Sequence, residues 1–340
     1  MRSLHSLSMI PLFALLLACG NDSPAPTSGN TASDEQRIEN PKRDGPNALH
    51  REPPGPAQRN FPEDFPTLFD WEWGFELGGF GGVQRRAQLQ RIPVIFVHGN
   101  TTDHGDWYVV RDDFRRGGWS DQELWALSYN GVGSNSGSSP LRSQPEASAE
   151  RESSGGDGQS RSTNNDLNVV DLVRFIQAVQ DYTGSACFSL VGHSLGVTLA
   201  RKALHSYPEL KPHVVAFVGI AGANHGTSLC PPGSETSVIS CDEIARGTAW
   251  LEELNGEGGT METYGNTAWL TIYDGSGVGD VAFAGDYGPS PQLAGADNRE
   301  FPGVDHNGLR IAEDIVAEYQ LFIEQAGAAA GGPNTPQCAM

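Results

Sequence analysis

The chain has 340 residues, 38% of them hydrophobic, enough to bury one large core or two small ones. Its formal net charge is -20, from 22 Lys and Arg against 42 Asp and Glu. So acidic a chain is a poor partner for nucleic acid or an anionic lipid surface, whose phosphates it would repel.

In chain order, residues 1–19 read as an export signal. Arg2 supplies a positive start, and Met9 to Ala18 (MIPLFALLLA) is an apolar run too short to span a bilayer permanently. The run closes in Leu16-Leu17-Ala18-Cys19, which resembles a bacterial lipobox. Cys19 is then the expected lipidated first residue of a cell-envelope lipoprotein, and its lipid the only expected tie to a membrane; the alternative is ordinary cleavage and secretion. Export also implies an oxidising compartment, where disulfides persist. Cys230 and Cys241 flank a short Pro/Gly/Ser-rich loop and form the expected pair. The partners of Cys187, in an apolar run, and of Cys338, near the end of the chain, stay open. No C-x-x-C spacing points to zinc.

Residues 20–60 are rich in Pro, Asn, Ser and charge and cannot bury enough apolar surface to fold alone, so they are expected to be a disordered tether. Aromatics from Phe61 onward mark the start of a domain expected over residues 61–328. Pro93 to His98 reads as a buried strand, Asp106 to Arg115 as a helix and Glu123 to Tyr129 as the next strand. Asn130 to Ser162 is low in complexity, a long loop leaving the carboxyl end of a strand. Asn165 to Tyr182 carries Val169, Leu172, Val173, Ile176 and Val179 at helical spacing. A strand at Cys187 to Val191, a helix from Val197, a strand at His213 to Ile220, a strand at Thr267 to Tyr273 and a last helix from Gly308 to about Gln325 complete the domain. Residues 329–340 are expected to be a flexible tail. Strands alternating with helices predict an α/β fold, a mostly parallel sheet covered on both faces, with a small cap inserted between Gly222 and Gly265.

The most informative stretch is Gly192-His193-Ser194-Leu195-Gly196. This G-x-S-x-G follows an apolar strand and opens a helix, the setting of a nucleophile elbow, in which a strained turn lifts a serine hydroxyl off a strand tip. A serine hydroxyl needs a base to take its proton and a carboxylate to orient that base. Of the downstream histidines His205, His213, His225 and His306, the last lies in a loop before the final helix, from which an imidazole can reach the serine. The acid is Asp280, in a glycine-rich loop after the late strand, or Asp274 at the strand's very end, with Asp305, adjoining His306, a third option that sequence neighbours rarely fulfil. Asp280 is preferred, leaving Asp274 to form the turn through its side-chain acceptor. Tetrahedral chemistry also needs two oxyanion donors. The backbone N–H of Leu195 is one, and that of Asn100, after His98-Gly99, the other.

The runs PVIFVHGN (93–100), GHSLGVTLARKAL (192–204) and ADNREFPGVDHNGLR (296–310) resemble bacterial lipases of the α/β-hydrolase superfamily, chiefly the small secreted class 2 lipases. They are similar also to extracellular polyhydroxyalkanoate depolymerases. The resemblance covers about residues 93–325. It implies an α/β-hydrolase fold and a serine carboxylester hydrolase without cofactor or metal. Ser194 is then the nucleophile, His306 the base, Asp280 its orienter, and Asn100 and Leu195 the oxyanion hole. The substrate is an acyl ester or a polyester, and the expected state is a monomer. An acyltransferase on the same scaffold is the remaining alternative, because fold does not fix reaction. Trp107, Trp119, Trp250 and Leu251 are candidates for the cleft wall, with core packing the safer expectation for each.

Overall fold

The computed structural model describes residues 61–62, 64–65, 69–70, 75–76, 78–82, 88–100, 102, 104–129, 164–233, 239–256 and 262–338. The export signal with Cys19, the 20–60 segment and the Asn130–Ser162 stretch lie outside them.

Two short strands, β1 (Phe69–Asp70) and β2 (Phe75–Glu76), pair antiparallel. Seven more form the main sheet: β3 (Gly78–Phe80), β4 (Val94–Val97), β5 (Leu124–Leu127), β6 (Phe188–His193), β7 (Val214–Ile220), β8 (Ala268–Tyr273) and β9 (Asp297–Glu300). Their order is β3-β5-β4-β6-β7-β8-β9, and all pairings are parallel except β3 on β5. Every residue of β4, β5 and β6 is buried, as expected for strands covered on both faces. Their β-branched and aromatic residues suit that setting, where backbone groups pair sideways and side chains pack above and below.

Helices α1 (Tyr108–Arg116), α2 (Asn165–Thr183) and α3 (Leu195–Ser206) connect β4, β5, β6 and β7. Short helices α4 (Ile239–Glu243) and α5 (Ala249–Asn255) lie between β7 and β8, and α6 (Gly308–Ile311) and α7 (Glu313–Ala329) follow β9. Helix α2 packs on α3, and α1 on α7. The two pairs cover opposite faces, because the right-handed crossover from β4 to β5 runs one way along the sheet and that from β5 to β6 runs back. The reversal opens a crevice between the carboxyl ends of β4 and β6, where open α/β sheets hold their ligands. The segments leaving these two strands are His98–Thr102 and Ser194.

The expected elements occur with small shifts in their ends, and one differs in kind. The last helix is broken at Ala312, which is extended (φ -62°, ψ 131°). In an unbroken helix the Arg310 carbonyl would accept from the N–H four residues on; here it accepts from the buried Tyr319 hydroxyl at 3.0 Å. The Arg310 guanidinium reaches the Asp106 carbonyl and lies over the Trp107 ring, tying α6 to the start of α1. The amino end of the domain is anchored by aromatics: Phe61 and Phe65 pack on Trp125 and Phe175. Trp107, Trp119 and Leu251 are buried in the core, and half-buried Trp250 donates to Asp166.

Residues 329–338 depart from the expected flexible tail over 329–340, of which 339–340 lie outside the described residues. Cys338 is fully buried and bonded to Cys187, 151 residues away, and the Ala186 N–H donates to the Cys338 carbonyl at 2.8 Å. The expected Cys230–Cys241 disulfide is also present. A cross-link closing so long a loop removes much chain entropy from the unfolded state, about 2–4 kcal/mol in typical cases. Replacing both Cys187 and Cys338 by Ala is therefore expected to destabilise the domain by about that amount, read from urea unfolding, while losing the 11-residue Cys230–Cys241 link costs less.

Candidate active site

Strand β6 ends in the turn that carries Ser194. Its φ of 55° and ψ of -125° fit neither the right-handed nor the left-handed helical basin, a strain of order 1–3 kcal/mol that the surroundings must hold. One support is the hydrogen bond from the Ser194 N–H to the Ile220 carbonyl at the tip of β7, 2.8 Å. The other is close packing at both glycines of the motif. A Cβ on Gly192 would sit 2.8 Å from the Val197 backbone, and one on Gly196 only 2.4 Å from the carbonyl oxygens of Val97 and His98. The start of α3 is thus pressed against the end of β4. Leu195 is the first residue of α3, where backbone N–H groups have no partner within the helix.

The acid loop follows β8. Asp280 is fully buried; its Oδ1 accepts from the Ala282 N–H at 3.0 Å, and its Oδ2 faces His306 Nδ1 at 2.8 Å. Nδ1 must carry the proton here, so Nε2 presents its lone pair in the neutral ring. Asp274 is also buried but lies turned inward on its own loop. It accepts from the N–H and hydroxyl of Ser276 and from the N–H groups of Gly279 and Asp280. Burial pushes its carboxyl up, but the Ser276 hydroxyl and the N–H groups of Asp280, Ser276 and Gly303 outweigh this and bring it down to about 2. Asp280, then, is the carboxylate that meets His306, and Asp274 shapes the loop that presents it.

The other histidines lie elsewhere. His205 faces Glu253 at the end of α3, and His213 ends the turn before β7. His225 has both ring nitrogens engaged, by the Ser290 carbonyl at 2.9 Å and by Glu262. It borders a cavity of about 470 Å³ with Arg246, Glu262, Asp286 and Asn298, and none of Ser194, Asp280 or His306 lines that cavity.

His193 was not singled out in sequence. Its Nε2 donates to the His306 carbonyl at 3.0 Å, and the two rings lie 4.6 Å apart. Burial first, then the neighbouring His306 and Arg310, hold it well below the ordinary histidine range, so it is neutral and can donate from Nε2 alone. The residue before Ser194 thus holds the loop of His306. Ser194 Oγ makes no hydrogen bond to His306 among the described residues; such contacts tighten when substrate is bound. Thr227 and Ser228 could not be anticipated either: they donate to the carbonyls of Ala282 and Val281 and clamp the segment after β7 to the acid loop. On the β4 side, a Cβ on Gly99 would lie 3.1 Å from the Cβ of Ser194, which puts the loop carrying Asn100 directly beside the serine.

Residues 153–274 match the family described as Lipase (class 2). No curated protein matches. Among solved structures, the chain is similar to Aspergillus fumigatus lipase B, with 18% identity over 70% of this chain and a TM-score of 0.42. It spans 47% of that lipase's length. It is similar also to Bacillus licheniformis lipase BlEst2 in its mature form, with 14% identity over 72% of this chain and 95% of that one, TM-score 0.48. A third similar structure comes from work on LipS and LipT, two metagenome-derived lipolytic enzymes, with 15% identity over 71% of this chain and 96% of that one, TM-score 0.46. The segment over residues 153–274 is thus similar to class 2 lipases, and the sheet order with the strand-turn-helix around Ser194 gives the chain an α/β-hydrolase fold.

Proposed function

We propose that the chain cleaves acyl esters through an acyl-enzyme on Ser194. The observation that carries this reading is the strained turn at the tip of β6, whose His193 bonds to the His306 carbonyl, together with the buried carboxylate that holds His306 Nδ1. In the first half of the cycle His306 Nε2 takes the Ser194 hydroxyl proton as Oγ bonds to the ester carbonyl carbon. The carbonyl electron pair moves onto oxygen, and the N–H groups of Leu195 and Asn100 receive the negative charge. Collapse of this intermediate breaks the bond to the alkoxy oxygen, which leaves as the alcohol with the proton from His306. Water then repeats the addition on the acyl carbon, giving its proton to His306; expulsion of Ser194 releases the carboxylic acid and restores the hydroxyl. Asp280 keeps the ring in the tautomer that presents Nε2 and stabilises the imidazolium formed in each half.

We place this chemistry outside the cytoplasm, on the strength of the export signal, the lipobox-like end and two disulfides. The proposed product is a lipoprotein held to the envelope by Cys19, with acyl esters as substrates.

Three outcomes test this. With p-nitrophenyl butyrate, Ser194→Ala is expected to lower kcat by more than about a thousandfold, and Asp280→Asn by about 10³–10⁴-fold by allowing the wrong tautomer. Asp274→Asn costs less, about a hundredfold, because it displaces the loop rather than removing a charge from the site; the reverse ranking would exchange the two aspartates' roles. In acid, the Asp274 carboxyl has a lower folded than unfolded value, so its contribution is complete above about pH 4 and disappears as pH falls toward about 2. The melting temperature of the wild type should drop more steeply over that window than that of Asp274→Asn. Finally, Cys19→Ser is expected to move the protein from the membrane fraction to the soluble one; wild-type protein already soluble would favour plain secretion.

A further inference from the structure

The Gly99 carbonyl collects an unusual number of donors. The Tyr129 hydroxyl lies 2.9 Å from it and 3.0 Å from the His98 carbonyl, so one proton is shared between two successive carbonyls. His98 Nδ1 donates to the same Gly99 oxygen at 2.7 Å, and the Thr102 hydroxyl at 3.3 Å. The Tyr129 ring is stacked flat on the His98 imidazole, centroids 3.9 Å apart with 3° between the planes, and both residues are buried.

A trans peptide points its C=O and N–H in opposite directions. The Gly99–Asn100 peptide is trans, since no cis bond occurs among the described residues. Holding the Gly99 oxygen toward Tyr129 therefore turns the Asn100 N–H to the other side of the chain. No described residue accepts from that N–H. The same stretch of backbone lies against Ser194, which a Cβ on Gly99 would approach to 3.1 Å.

We propose that Tyr129, with His98 and Thr102, is a positioning residue that locks the Gly99–Asn100 peptide so that the Asn100 N–H faces the oxygen developing negative charge. This rests on the assignment of Ser194 and Asn100 in the preceding section. Tyr129 touches no reacting atom. Its hydroxyl removes the freedom of the peptide to rotate, which a glycine on one side of the bond would otherwise allow. A donor that is already aimed needs no reorganisation when charge appears, and this is the source of its rate effect.

The test is Tyr129→Phe, which keeps the ring stacked on His98 and deletes only the hydroxyl. Hydrolysis of p-nitrophenyl butyrate is measured beside inhibition by butylboronic acid, whose tetrahedral adduct with the serine carries negative charge where the oxyanion would. The expected result is a fall in kcat of about 10- to 100-fold, less than the full loss of a donor. KM stays within about twofold, boronate affinity falls by the same factor as kcat, and the melting temperature is nearly unchanged. A kcat within about twofold of wild type overturns the proposal. So does a loss of kcat that follows a lowered melting temperature while boronate affinity is kept, because the hydroxyl would then be only structural. Ser194→Ala is run in parallel: full activity there removes the serine assignment itself, an outcome that no result from Tyr129→Phe can imitate.

Discussion

The structure depends first on how closely α3 is driven into the end of β4. Ser194 adopts backbone angles that a serine avoids, and nothing local to the turn makes them favourable. They persist because the two flanking positions lack side chains and are filled by neighbouring backbone: the Val197 backbone over Gly192, and the Val97 and His98 carbonyls against Gly196. That contact sets the distance between the serine and the loop after β4. It also brings the first amides of α3 beside the crevice made by the reversal in strand order. The buried sheet is therefore a stiff frame that stores the strain of one turn, and the free amides and the serine face the crevice as a consequence.

Asp280 and His306 come from two other loops, and these are coupled to each other. Asp274 gathers the N–H groups of Gly279 and Asp280 on one carboxylate, which fixes the direction of the Asp280 side chain. Gly279 lies so near the backbone of Gly303 and Val304 that a Cβ there would come within 2.3–2.6 Å of it, so the acid loop and the histidine loop are in contact along their backbones. Thr227 and Ser228 hold the acid loop from the other side, and His193 holds the histidine loop through the His306 carbonyl. A shift of β8, β7 or β6 is thus passed to the same pair of side chains. This explains why so many hydrogen bonds at the site end on backbone atoms: they position chain segments, and the segments set Asp280 against His306.

Much of this was legible in the sequence, and what was not has identifiable causes. The strand, turn and helix around Ser194 could be read because steric demands at Gly192 and Gly196 are local. The contrast between Asp280 and Asp274 was also local: a residue on the last rung of a strand is held to the pleat, whereas one in a glycine-rich loop can be carried across the strand tips. The break at Ala312 could not be read, since it depends on the Tyr319 hydroxyl taking a carbonyl from the helix, a contact made only in the folded core. His193 occupies the unrestricted position of its motif, and its function of holding the loop appears only when His306 arrives from 113 residues away. Tyr129 read as the end of a strand, with nothing nearby to show that its hydroxyl returns to the loop after β4.

The Cys187–Cys338 bond was likewise invisible, because a pairing across 151 residues leaves no local trace. Its position nevertheless follows the logic of the site. Cys187 immediately precedes β6, the strand whose other end carries Ser194, and the loop it closes contains Ser194, Asp280 and His306 together. Before folding, the cross-link limits how far these three segments can separate; after folding, it fixes the entry of β6 and the end of the chain beyond α7 to one another. The strand that bears the strained turn is consequently held at both ends, by a covalent bond at its entry and by close backbone packing at its exit. Strain at Ser194 can be maintained only if β6 does not slide, since a slip of a single residue would exchange its faces and turn the serine into the sheet.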